Sequence, residues 1–131
     1  MRMDRRESSA DPATGGTLDV RLVQLLGSFI GARSQYTLVR LEFAMKHERV
    51  PAPPLVTRLA EPSERALNED WPAIETQLEK ALAYAKRLER ERSKKYLEDP
   101  ATQWLLRSVR EMDQLSRAIR WVLTVTQSED S

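Results

Sequence analysis

The chain has 131 residues, enough for one small domain with a modest core and too few for a second catalytic domain. Its 21 Lys and Arg against 20 Asp and Glu leave a net charge of +1, so any electrostatic function must come from local clustering rather than bulk charge. No cysteine is present, which excludes disulfides and thiolate metal sites, and no run of about 18 apolar residues offers a membrane span.

Residues 1–16 mix charge, Ser, Pro and Gly with nothing to bury and read as a disordered N-terminal arm without the apolar stretch of a secretory signal. The composition therefore points to a cytoplasmic protein. A first helix is expected over Leu18 to Ile30, where Leu18, Leu22, Leu25, Leu26, Phe29 and Ile30 recur at helical spacing, with Thr17 as N-cap and Gly31 as stop. Gly31 to Arg33 reads as a hinge. Ser34 then caps a second helix to about Glu48, its apolar positions being Tyr36, Leu38, Val39, Leu41, Phe43 and Met45.

Pro51, Pro53, Pro54 and Pro62 each remove a backbone donor and bias the preceding residue away from the helical region, which predicts a stiff connector with one helical turn at Leu55 to Ala60. A third helix is expected from about Trp71 to Leu97, capped by Asp70, with Ile74, Leu78, Ala81, Leu82, Ala85 and Leu88 as its buried stripe. A fourth runs from Pro100 to Thr126, with Asp99 as N-cap, Pro100 in the first turn, and Leu105, Val109, Met112, Ile119 and Leu123 on the apolar face. Gln127 to Ser131 reads as a flexible tail. The fold class is thus all-α: a bundle of about four main helices in residues 17–126, closing on a long C-terminal helical hairpin.

Catalytic constellations are missing. One histidine, no thiol, no Glu-x-x-His pair and no Gly-rich phosphate loop leave the common zinc, di-iron, triad and nucleotide sites without their parts, so no enzyme activity, cofactor, metal or small-molecule substrate is expected. His47 reads as a surface residue near the favourable end of a helix dipole.

Two charged patterns point to a binding role. Residues Lys86 to Lys95 hold six basic and two acidic side chains, among them Lys86, Arg87, Arg90 and Lys94, more than the pairs Arg87–Glu91 and Glu91–Lys95 can cancel. On the fourth helix Gln103, Arg107, Arg110, Gln114 and Arg117 follow one another at three- and four-residue steps and so line one face. Arginine forks match phosphate oxygens in two-point contacts, which makes such a face suited to a phosphodiester backbone. Trp71, Tyr84, Tyr96, Trp104 and Trp121 are candidates for base stacking, although aromatics beside an apolar stripe are more often core.

The order of a short N-terminal helix, the segment Ser34-Gln35-Tyr36-Thr37-Leu38-Val39-Arg40, a proline-containing connector, a long helix carrying Leu82-Ala83-Tyr84-Ala85-Lys86-Arg87 and a C-terminal helix resembles the small helical subunits of type III CRISPR effector complexes, over most of residues 18–125. Proteins of that family are non-catalytic bundles that stack along guide RNA and target strand in a ribonucleoprotein filament. The resemblance implies nucleic-acid contacts at Arg40, Lys86 and Arg87, neighbouring protein subunits as partners, and a role in antiviral defence. The segment Gly31 to Glu42 is also similar to the turn and recognition helix of a helix-turn-helix regulator, with Pro54 to Ala60 following it. That resemblance implies Arg33, Gln35, Thr37 and Arg40 in a DNA major groove. A protein-protein adaptor with solubilising basic faces is the remaining alternative.

Overall fold

The computed structural model describes residues 18–56, 63–91 and 98–130. The described residues form three long helices: α1, Val20–Lys46; α2, Glu64–Glu91; and α3, Pro100–Asp130. Among the described residues there is no strand. At 1.5 Å rise per residue each helix is about 40 Å long or slightly more.

The expected first and second helices are one. Residues 31–33 lie inside α1, and Ser34 is an exposed mid-helix residue rather than a cap. A single interior glycine costs about 1 kcal/mol against alanine. Phe29, Ala32 and Tyr36 bracket Gly31 and are all buried, so an unbroken helix keeps two aromatic rings in the core, each contributing more than the glycine costs. The cap is Asp19, whose Oδ1 accepts from the Arg21 amide at 2.8 Å. Its carboxyl is held down to about 2, chiefly by the Arg21 guanidinium hydrogen bond.

The next helix also starts earlier than expected. Ser63 Oγ accepts from the Ala66 amide at 3.1 Å and α2 begins at Glu64, which leaves Asp70 in the helix interior. The reason is Leu67, buried on the same face as Trp71, Ile74 and Leu78. Its burial draws the helix across Pro72, whose ring is exposed. Residues 92–97, where the end of the expected third helix and the hairpin turn fall, lie outside the described residues, as do Thr17 and most of the expected turn at Leu55 to Ala60.

α3 begins as expected. Asp99 Oδ1 accepts from the Ala101 amide at 2.9 Å, and Pro100 fills the first position, where no backbone donor is needed. The helix continues to Asp130, so residues 127–130 extend it rather than forming a tail.

Side-chain contacts fix the directions. Phe29 meets Trp71 edge-on at 5.3 Å and Phe43 meets Tyr84 at 6.4 Å, so α1 and α2 run parallel. Arg110 pairs with Glu89 and Arg120 with Glu75, so α3 runs antiparallel to α2, and His47 beside Asp99 sets α3 antiparallel to α1. Parallel α1 and α2 require the chain to travel back, and residues 47–56 do so along α1. The Arg40 guanidinium donates to the Val50 and Pro51 carbonyls at 3.1 and 3.0 Å, the Tyr36 hydroxyl donates to the Pro51 carbonyl at 2.6 Å, and Arg33 Nε donates to the Pro54 carbonyl. The side chains thus supply the donors that an extended proline-rich segment cannot find in a ladder. Burial pushes the Tyr36 phenol up to about 12.

The core lies between the three helices. Leu22, Leu26, Phe29, Tyr36 and Phe43 from α1 meet Trp71, Ile74 and Leu78 from α2 and Leu105, Met112, Ile119 and Leu123 from α3. The bidentate Arg120–Glu75 pair, at 2.7 and 3.1 Å, ties α2 to α3 at the edge of this core.

Candidate nucleic-acid interface

At about 100° per residue, Gln103, Arg107, Arg110, Gln114 and Arg117 fall on the side of α3 opposite Leu105, Met112 and Ile119. All five are exposed, while those three apolar residues are buried. The row is about 21 Å long from helix rise. Arg110 pairs with Glu89 of α2 at 2.7 Å and Arg117 with Asp113 at 3.1 Å. The Arg110–Glu89 pair is exposed on both sides, and such pairs are worth about 0–1 kcal/mol, so a phosphate can take Arg110 at little cost; Asp113 is half-buried, but the Arg117 guanidinium itself is exposed. Arg107 has no carboxylate partner among the described residues; its guanidinium lies 5.7 Å from the centre of the Trp104 ring, a cation–π contact.

The remaining predicted site residues separate into three groups. Lys86 and Arg90 are exposed on α2, on either side of the Glu89 that holds Arg110, and have no carboxylate partner among the described residues. They extend the α3 row onto the neighbouring helix. Arg87 points elsewhere: it pairs with Glu91 at 3.2 Å and Glu48 at 3.7 Å and lies 4.9 Å over the Tyr84 ring, at the end of the bundle where α1 stops. Arg40 is a strut, its guanidinium committed to the Val50 and Pro51 carbonyls. Arg33 and Thr37 are committed likewise, to the Pro54 carbonyl and the Arg33 carbonyl, so of the four major-groove candidates only Gln35 is exposed. Lys94 and Tyr96 lie outside the described residues.

The tryptophans divide just as sharply. Trp71 is core, whereas Trp104 and Trp121 are 49% and 60% exposed. Trp104 lines three grooves, a small one of about 250 Å³ beside Gln35, Val39 and Glu42 and two larger ones of unlike chemistry. One, of about 660 Å³ between α1 and α3, is lined by Ser28, Gly31, Gln35, Glu111, Gln114 and Leu115 with Trp104 and Arg107. The other, of about 330 Å³, is lined among the described residues by Gln103, Trp104, Arg107 and Arg110. Sequence spacing places Trp104 next to the row; only the packing of α1 against α3 builds the larger groove beside it.

A second surface lies on α1. Ile30, Leu38, Leu41 and Met45, expected on apolar faces, are exposed together with Val20 and Val23. With Gly27 and Ser34 they recur at three- and four-residue steps, so α1 is apolar on two sides and spends one of them on the core. Met45 reaches 88% exposure. The core leaves this face of α1 uncovered.

His47 is not a surface residue. Its side chain is 8% exposed, and Nε2 lies 2.7 Å from Asp99 Oδ2, joining the end of α1 to the cap of α3. Asp99 is held below the usual carboxylate range by the Ala101 amide first and the His47 ring second. No group of three or more metal-ligating side chains occurs among the described residues, and no helix there is long and apolar enough to cross a membrane. No family model matches the chain, and comparison with curated proteins and with solved structures finds no match.

Proposed function

We propose that the protein is a non-catalytic helical assembly subunit that contacts the backbone of RNA or single-stranded DNA within a cytoplasmic ribonucleoprotein complex. The reading is carried by the exposed row Gln103, Arg107, Arg110, Gln114 and Arg117, in which Arg107 has no carboxylate partner among the described residues, Arg110 is held by the exposed Glu89 and Arg117 by the half-buried Asp113. Lys86 and Arg90 widen the cationic surface toward α2. The resemblance to small subunits of type III CRISPR effector complexes supports the same class of partner, with Lys86 the implied contact that lies beside this row. Arg40 acts within the fold instead, and Arg87 lies apart from the row, at the end of the bundle beside Glu48.

The exposed apolar face of α1, Val20 to Met45, favours a protein neighbour as well. In an assembly subunit the two surfaces divide the work: α1 docks on protein and α3 faces the strand. An adaptor without a nucleic-acid role would use the α1 face alone.

Charge reversal tests the reading. The triple variant Arg107→Glu, Arg110→Glu, Arg117→Glu should lose binding to single-stranded oligonucleotides while its helical circular dichroism is unchanged. Wild-type affinity should fall steeply with salt, with a log–log slope near −0.7 per phosphate contacted. Unchanged binding by the triple variant would remove the α3 row from the mechanism; a salt-insensitive protein partner, with no strand bound, would leave the adaptor.

A further inference from the structure

We infer that the groove between α1 and α3 receives an unpaired nucleobase, stacked against Trp104, while the attached phosphate sits in the smaller arginine-lined groove that shares the same indole. The inference rests on the nucleic-acid reading above and adds what the strand presents: a base turned out of its stack, which duplex does not offer without unpairing.

Complementary chemistry across one ring carries the argument. The larger groove, about 660 Å³, falls within the range of about 300–1,000 Å³ typical of ligand sites. Its polar lining is of the kind that reads a base edge: the Gln35 and Gln114 amides donate and accept, and the Glu111 carboxylate accepts from an exocyclic amino group or a ring N–H. That same carboxylate repels phosphate. The smaller groove holds Gln103, Arg107 and Arg110; no carboxylate lines it among the described residues, and the exposed Glu89 that pairs with Arg110 is displaced at little cost, so phosphate is favoured there. Arg107 lines both grooves and already lies over the indole face. It stands where the bond between base-bearing sugar and phosphate would cross from one to the other.

Gly31 supplies the room. A Cβ built at this position meets nothing within 4 Å, although a helix interior disfavours glycine. Any side chain there would project into the groove that Gly31 lines. The half-exposed Trp104 is likewise not required by the core, which is filled by Leu105, Val109 and Met112 on its own helix.

The test compares two labelled single strands of equal length, one of intact nucleotides and one abasic, by fluorescence anisotropy with the full chain. Stacking on an aromatic side chain is worth about 1–3 kcal/mol per base, so Trp104→Ala should weaken the intact strand about fivefold or more and leave the abasic strand unchanged. Trp104→Phe should restore most of the loss. Gly31→Leu, which fills the groove without touching Trp104, should reproduce the selective loss and guards against a folding defect in the first variant. Equal affinity of Trp104→Ala and wild type for the intact strand, or no preference of wild type for intact over abasic, would overturn the base pocket and leave the backbone reading standing. If wild type binds neither strand, both readings fall together.

Discussion

The imidazole Nε2 of His47 lies 2.7 Å from Oδ2 of Asp99, while Oδ1 of the same carboxylate caps α3 through the Ala101 amide at 2.9 Å. One side chain thus starts a helix and anchors the end of another that is 52 residues away in sequence. Both partners are nearly enclosed, so the contact closes the corner where α1 ends and α3 begins.

Replacing Asp99 by Ala should cost about 1–2 kcal/mol for the cap alone, with the loss of the His47 contact added. Asp99→Asn, a good cap, should lose less. Because the folded carboxyl is depressed, its contribution is present above the unfolded value of about 3.9 and is lost as pH falls through the lower folded value. Thermal melts at decreasing pH should therefore show an acid-side loss in wild type that is smaller in Asp99→Asn. Identical slopes would mean that Asp99 does not couple folding to protons.

Gly27 and Gly31 lie inside α1 with open space around an added Cβ. Gly27→Ala and Gly31→Ala should each raise stability by roughly 0.5–1 kcal/mol, read from urea midpoints. A lower midpoint for Gly31→Ala would point back to a hinge that needs glycine.

The tryptophans offer a contrast. Trp71 packs edge-on against Phe29 at 5.3 Å with no exposed surface, so Trp71→Ala should cost about 3–5 kcal/mol. Trp121 is exposed, and Trp121→Ala should stay within about 0.5 kcal/mol of wild type. Chemical denaturation of the two variants side by side decides it, and similar losses would contradict this placement of the rings.

Arg40 holds the returning connector through two carbonyls. Hydrogen bonds to a charged group are worth about 1.5–3 kcal/mol, so Arg40→Ala should destabilise the fold by about that much and speed proteolytic cleavage in 50–56. Oligonucleotide affinity of the folded variant should not change. A selective loss of affinity at full stability would return Arg40 to the interface.

Much of this was legible along the chain. Asp99-Pro100 marked the start of α3 because cap and first-turn proline are local signals, and the row from Gln103 to Arg117 followed from helical spacing alone. The buried positions of α2 and α3 were equally plain, since each of those helices is apolar on one side only. α1 is different: with apolar residues on two sides, spacing cannot say whether Phe29 and Tyr36 or Ile30 and Leu38 turn inward. That choice belongs to Trp71 and Tyr84, which meet Phe29 and Phe43, on the same side of α1 as Tyr36, across the core.

What sequence by itself determined is therefore the helical class, the Asp99-Pro100 start of α3 and the chemical character of each face, because these depend on residues within a few turns of one another. What tertiary structure alone decided is the continuity of α1 through Gly31, the conversion of Arg33 and Arg40 from candidate contacts into struts, and the sorting of three tryptophans into one core ring and two exposed ones. Each depends on groups brought together from separate parts of the chain, where burial and hydrogen bonding outweigh the small local cost of a glycine or the general preference of a cation for water.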